Sequence, residues 1–252
     1  MIHKMRLKSE PFEKIRSGAK TIELRLNDEK RQQVKVGDFI EFTLIDDNSR
    51  KLTTRVTALH HYNFFSELFS ELPYEKFGLD KIPEPDFMDK FYSTEEQEKY
   101  GALGIELRLT DLQKFLDAQE NGYSFGADYQ TALSEIRNGR KISHWIWYIF
   151  PQVKGLGFSS TTAYFSINSL NEAVDYIQHS VLRERLVEIS SELLKSETND
   201  PMVIFGNPDA FKMRSCMTLF KYASPDLTVF QQVLDKFCQG TEDYKTIKIL
   251  GL

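Results

Sequence analysis

Four polar residues near the start of the chain bring two cations, a hydroxyl and a carboxylate into one short segment: Lys20, Thr21, Glu23 and Arg25. Thr21, Glu23 and Arg25 alternate with Ile22, Leu24 and Leu26, which is the pattern of a β-strand with two unlike faces. Successive side chains on one face of a strand lie about 7 Å apart. Such a strand would hold cations that can bind phosphate beside an acid that can accept a hydrogen bond from a base amino group.

A short helix before this segment would determine where the strand begins. Pro11 suits a first helical turn, and Gly18 can adopt the left-handed conformation that ends a helix. The alternation also fits an ordinary amphipathic strand, whose polar side faces water and carries a surface ion pair between Glu23 and Arg25. The spacing alone leaves both interpretations open.

Three motifs together resemble the ASCH domain, a relative of the PUA fold. They are the Gly-x-Lys-x-x-Glu-x-Arg pattern at residues 18–25, the Val-Gly-Asp sequence at residues 36–38 that leads into a strand, and the closing-strand pattern at residues 100–106. The resemblance covers residues 1–108 and implies a small β-barrel with short helices. It also implies a cleft for RNA or a modified nucleobase, with the candidate ligand-binding residues Lys20, Thr21, Glu23, Arg25 and Tyr100.

An enzymatic alternative uses the same cleft. Some proteins that resemble ASCH domains hydrolyse acetylated cytidine with a lysine, a distant glutamate and a threonine placed two residues after the position of Thr21. This chain has Glu23 at that position, so it lacks the matching nucleophile. A hydrolase with Glu23 as general base and Lys20 stabilising a developing anion remains an alternative. Whether the chain is an enzyme therefore stays open.

A second group of residues suited to ligand binding lies in residues 140–157, which contain both tryptophans of the chain. Aromatic faces and the backbone N–H groups of a glycine-rich turn can hold a planar, phosphorylated ligand. The alternative is that these aromatic residues fill the centre of a helical bundle, with His144 bonded to a carbonyl group. The residue types do not decide between the two.

The same stretch, together with residues 204–206 and 212–220, resembles a bacterial all-helical family of unknown function that is sometimes mislabelled calpastatin. The resemblance spans residues 110–252 and implies a helical fold, but it assigns no activity. From the residue types alone, the second candidate site consists of His144, Trp147, Gln152, Asp209 and Lys212. This domain could hold an enzyme for a nucleotide-derived small molecule or serve as a protein-interaction scaffold.

The pattern of the chain changes near residue 110, and a length of 252 residues is comfortable for two domains. Residues 1–108 alternate strands with short helices, whereas residues 109–252 show helical patterns. We therefore expect an α+β protein, in which a PUA-like small β-barrel is followed by an all-α domain of about six helices.

Charge and composition restrict the classes of ligand and partner that we expect the protein to bind. Residues 1–35 hold ten lysines or arginines against five acids, whereas residues 67–98 hold ten acids against three lysines. With a net charge of −5, this distribution favours a nucleotide or single-stranded RNA docked locally over a long duplex. The absence of a long apolar run or a secretory start predicts a cytoplasmic protein without membrane contact. Scattered histidines and cysteines predict no metal and no cofactor, and the oligomeric state stays open.

Overall fold

The computed structural model describes all 252 residues, which form two compact units, Met1–Asp111 and Leu112–Leu252. The first unit combines five β-strands with three α-helices, and the second contains ten α-helices. The predicted α+β class is therefore confirmed, with the strands in the first half of the chain. None of the thirteen α-helices has the length and hydrophobicity that crossing a lipid bilayer requires.

One curled, mixed sheet organises the first unit. Its strands are β1 (Ile2–Leu7), β2 (Ile22–Leu26), β3 (Phe39–Leu44), β4 (Lys51–Tyr62) and β5 (Ala102–Leu109). The strand order is β1-β3-β4-β5-β2, with β1 parallel to β3 and the other pairs antiparallel. The sheet curls into a half-barrel, and β1 and β2 are its two edges. A bulge in β4 between Val56 and Ala58 contributes to the bend.

Short helices connect the strands of this unit. They are α1 (Ser9–Arg16), α2 (Phe65–Glu71) and α3 (Thr94–Tyr100), with two 3-10 turns at Arg31–Gln33 and Tyr74–Phe77. Gly18 has a φ of 79°, so it adopts the left-handed conformation predicted after the first helix. A capping box between Ser93 and Glu96 begins α3. Both features depend on residues only a few positions apart, and the left-handed conformation of Gly18 was predicted from the sequence for that reason.

Both faces of β2 are buried. Ile22, Leu24 and Leu26 pack with α2 in one apolar cluster on the outer face of the sheet. On the other face, Glu23 lies opposite Ile105 and Arg25 lies opposite Leu103. Ile105 and Leu103 belong to the main core of the half-barrel. The polar side of β2 therefore faces the interior of the half-barrel, and the alternative of a solvent-facing strand with a surface ion pair is wrong.

The second unit is entirely helical apart from its loops. Its helices are α4 (Gln113–Asn121), α5 (Tyr129–Arg137), α6 (Ile146–Ile149), α7 (Ser160–Tyr164), α8 (Leu170–Gln178), α9 (Ser180–Leu194), α10 (Pro201–Phe205), α11 (Asp209–Ala223), α12 (Val229–Cys238) and α13 (Tyr244–Leu250). They exceed the six expected because α6, α7, α10 and α13 have only four to seven residues. Segments that short show little helical periodicity in a sequence.

Much of the aromatic stretch at residues 140–157 is core. Trp145, Tyr148 and Phe150 are fully buried, as the alternative of a bundle centre requires. Glu135 of α5 fixes the preceding loop, because its carboxylate accepts hydrogen bonds from Ile142 N at 2.7 Å, Ser143 N at 3.0 Å and Trp145 Nε1 at 2.7 Å. Burial alone would raise the pKa of Glu135, but these hydrogen bonds and one from the Ser143 hydroxyl outweigh burial and lower it.

The lowered pKa makes the contribution of Glu135 to stability depend on pH. A carboxyl group whose pKa is lower in the folded chain stabilises the fold above its unfolded pKa of about 4.3, and this contribution is lost as the pH falls through the folded pKa. We expect Glu135→Gln to lower the free energy of unfolding by about 2 kcal/mol at pH 7, because the amide cannot accept every donor. Denaturant unfolding of both proteins at pH 7 and at pH 3 measures this difference. A difference that does not shrink at the lower pH contradicts the assignment.

Candidate ligand-binding cleft

A cavity of about 460 Å³ is lined by residues of both edge strands of the half-barrel. Arg6 and Leu7 come from β1, and Glu23, Leu24 and Arg25 come from β2. No backbone hydrogen bonds pair β1 with β2, so any link between these two edges comes from side chains. Arg25 Nη2 donates to the carbonyl oxygen of Arg6 at 3.1 Å and so links β2 to β1.

A carboxylate held between two cations forms the polar part of this cavity. Glu23 Oε2 lies 3.4 Å from Lys20 Nζ, and Glu23 Oε1 lies 2.9 Å from Arg25 Nη2. Glu23 and Lys20 are only 4% and 8% exposed. Burial alone would lower the pKa of Arg25, but the charge of Glu23 and a hydrogen bond with Tyr92 outweigh burial and raise it. Lys20, Glu23 and Arg25 are called the charged triad below.

The charged triad retains unused hydrogen-bonding capacity. Lys20 Nζ has two long contacts, 3.4 Å to Glu23 and 3.4 Å to the carbonyl oxygen of Phe77, although an ammonium group has three donors. Arg25 Nε is buried and has no hydrogen-bond partner. A carboxylate offers about four acceptor positions, and the two cations occupy two positions on Glu23. The triad can therefore both donate to and accept from a ligand.

Aromatic and aliphatic side chains from residues 77–92 form one wall of the cavity. They are Phe77, Leu79, Phe87, Met88, Phe91 and Tyr92. The sequence pattern indicates only an excess of acidic residues over positions 67–98, so these side chains were not predicted to line the site. The four aromatic residues within the sixteen positions of the wall were the available signal. The wall gives the cavity an aromatic and aliphatic side, and the charged triad lines the same cavity.

Further cations line the cavity outside the charged triad. Lys8 Nζ lies 5.8 Å from the centroid of the Phe91 ring. Lys14 also lines the cavity and pairs with Glu10 at 2.6 Å, where its side chain remains 33% exposed. The side chains of Lys8 and Lys14 are more exposed than that of Lys20 in the triad. Their ammonium groups can attract an anionic group near the aromatic wall.

Thr21 and Tyr100 do not line this cavity, although both were predicted ligand-binding residues. Thr21 is held through its backbone, since its N–H donates to the carbonyl oxygen of Lys76 at 2.8 Å. Tyr100 lines a separate, mostly polar pocket of about 540 Å³ that also includes His61 and Asn63. Of the five predicted residues, the structure thus brings Lys20, Glu23 and Arg25 together.

The second candidate site comes together only in part. Lys212 Nζ lies 4.7 Å from the centroid of the Trp147 ring and 2.9 Å from Asp209 Oδ1. His144 is exposed, Gln152 is buried, and neither is a partner of these three residues. Lys141 also belongs to this cluster, with its Nζ 2.7 Å from Asp209 Oδ2, and it was not predicted from the sequence. No group of histidine, cysteine, aspartate or glutamate side chains in the chain is arranged to hold a metal ion.

Asp209 is shared by two largely buried lysines, so its loss should be costly. The side chains of Lys141 and Lys212 are only 10% and 18% exposed. Removing the common carboxylate leaves two cations close together without their counter-ion, which we expect to lower the free energy of unfolding by about 2 kcal/mol. Denaturant unfolding of Asp209→Asn measures the loss, with Asp235→Asn on an exposed helix surface as the control. Equal stability of the two variants contradicts a structural role for this cluster.

Two family models match the chain and divide it as the structure does. The model described as "Protein of unknown function (DUF1810)" matches residues 109–250, and the ASCH domain model matches residues 5–111. No curated protein matches the chain. The two resemblances inferred from sequence motifs are thereby confirmed.

Solved structures also match. The conserved hypothetical protein Rv1873 from Mycobacterium tuberculosis is 37% identical, with a TM-score of 0.53, and the match covers 56% of this chain and 97% of that one. The hypothetical protein PH0355 is 35% identical, with a TM-score of 0.39 and coverage of 43% and 99%. Protein PF0455 from Pyrococcus furiosus is 34% identical, with a TM-score of 0.36 and coverage of 43% and 97%. The chain belongs to the DUF1810 family of unknown function and carries an ASCH domain ahead of its DUF1810 domain.

Proposed function

We propose that the first unit binds a nucleotide or a single-stranded RNA segment by enclosing one base in the cavity beside the charged triad. The observation that carries this proposal is a buried carboxylate between two cations, in a cavity that has an aromatic wall. A few convergent polar groups among apolar walls are typical of small-molecule sites. Aromatic side chains stack on bases, and the ASCH domain supports a nucleic-acid ligand.

The phosphate contacts differ from those expected from the sequence. Lys20 and Arg25 were assigned to phosphate, but both pair with Glu23 and are largely buried. They suit the edge of a base better than a solvated phosphate. Lys8 and Lys14 also line the cavity, and they are the better candidates for the phosphate. The ligand therefore spans from the triad to these two lysines.

Binding is better supported than hydrolysis by the side chains of the cavity. The lining residues include no serine, threonine, cysteine or histidine, which are the usual nucleophiles and general bases. Both carboxylate oxygens of Glu23 are engaged in ion pairs, one with Lys20 and one with Arg25. A hydrolase acting on a modified nucleoside or RNA remains the second candidate, with Glu23 as its general base.

Removal of one wall residue tests the base position. Phe91 is 51% exposed, so Phe91→Ala should change stability little, yet it removes a stacking surface worth about 1–3 kcal/mol per base. We expect the affinity for a short RNA or a nucleotide to fall about tenfold or more. Fluorescence anisotropy with labelled trinucleotides, and calorimetry with mononucleotides, at one fixed salt concentration measure this change.

Phe125→Ala is the matched control, because Phe125 is fully exposed and belongs to the second unit. It should bind like the wild type. Equal affinities of wild type and Phe91→Ala, or no binding of any nucleotide or RNA by the wild type, contradict the proposed site. Chromatography of the same mixtures for products separates binding from hydrolysis, since turnover by the wild type favours the second candidate.

A further inference from the structure

We propose that the cavity selects a base with a cyclic imide edge, which among the common bases of RNA is uracil. The inference rests on the proposed function and deepens it, because it names the base that the charged triad recognises. It follows from the order of donors and acceptors in the triad. Both a free uridine nucleotide and a uridine within RNA carry this edge.

The triad presents a donor, an acceptor and a donor in sequence. Lys20 approaches Glu23 through Oε2, and Arg25 approaches it through Oε1, so the carboxylate lies between the two cations. Ammonium and guanidinium groups can only donate, and an ionised carboxylate can only accept. The order is therefore fixed and cannot adapt by rotation, unlike that of a hydroxyl or an amide group.

Each member of the array has capacity left for a ligand. Lys20 has a third N–H group beyond its two long contacts, and Arg25 has a buried Nε–H group without a partner. Glu23 retains acceptor positions beside those that the cations occupy. All three residues line the same cavity, so one planar edge can meet all of them.

Uracil presents the complementary order of acceptor, donor and acceptor through O4, N3–H and O2. The pattern is the same in both directions, so the base matches whichever cation each carbonyl faces. Cytosine places an acceptor against Glu23 and an amino donor against a cation. Guanine matches two groups and places its amino group against the third, whereas adenine mismatches both the carboxylate and a cation.

The apolar wall makes these mismatches costly. A polar group left without a partner in a site that excludes water weakens binding by about tenfold or more. Stacking on Phe91 or Tyr92, by contrast, is open to all four bases, because each of them has a π-face. The wall therefore supplies affinity, and the charged triad supplies the choice of base.

Calorimetric titration of the wild type with UMP, CMP, AMP, GMP and 3-methyl-UMP tests the proposal. We expect UMP to bind about tenfold or more tightly than CMP, AMP and 3-methyl-UMP, with GMP between them. The 3-methyl compound keeps both carbonyl groups and the stacking face but lacks the N3–H donor. CMP or 3-methyl-UMP binding as tightly as UMP overturns the proposal.

The failures of the two proposals are distinguishable. Equal binding of all five nucleotides overturns the uracil selection but leaves the nucleotide site intact, whereas no binding by the wild type overturns both. Oligo-U and oligo-C trinucleotides show whether the base is read in RNA or in the free nucleotide. These measurements use the unmodified protein, so they do not depend on the folding of a variant.

Glu23→Gln gives the matching protein variant. The amide has the same shape but presents one acceptor and one donor, so the ratio of UMP to CMP affinity should fall to about one. Phe91→Ala should instead weaken all nucleotides and leave that ratio unchanged. A ratio that persists in a folded Glu23→Gln protein, as verified by circular dichroism, overturns the role of the triad.

Discussion

The placement of one carboxylate at the open side of an incomplete barrel determines the character of the first unit. The sheet ends in two unpaired edges, β1 and β2, and Glu23 is buried beside the gap between them. A charge in that position requires close partners, because desolvation would otherwise cost several kcal/mol. Lys20 and Arg25 supply them, and Arg25 also bonds the backbone of β1. The interaction that makes the buried charge tolerable thus also connects the two edges.

The same strand positions the apolar wall. The outer face of β2 packs against a cluster that includes Phe77 and Met88, which also line the cavity. The backbone N–H of Thr21 donates to Lys76, one residue before Phe77. The wall lowers the local dielectric around the triad, which strengthens each hydrogen bond that the triad makes and raises the cost of an unmatched one. In the proposed site, affinity and discrimination therefore both depend on one strand that is buried on both sides.

The sequence predicted local features well and long-range ones poorly. The alternation of polar and apolar residues correctly placed Glu23 and Arg25 on one face of β2. The same alternation occurs whether that face is exposed to water or lies inside a half-barrel, so it could not tell the two apart. The wall at residues 77–92 has no such periodicity, so its aromatic residues were not assigned to the site. Lys141 was missed because its partner, Asp209, follows 68 residues later. The helix end at Gly18 was predicted because the residues that determine it are only a few positions apart.

The second unit repeats the arrangement of one carboxylate between two cations, with a different consequence. Asp209 pairs with Lys141 and Lys212, and each ammonium group lies over an indole ring, at 5.2 Å from Trp145 and 4.7 Å from Trp147. An aromatic face attracts a cation and partly replaces the water that burial removes. The charges of both lysines are therefore paired within the unit. The contacts join the loop before α6 to the start of α11. The triad in the first unit borders a cavity instead, so similar charges stabilise the fold in one unit and are available to a ligand in the other.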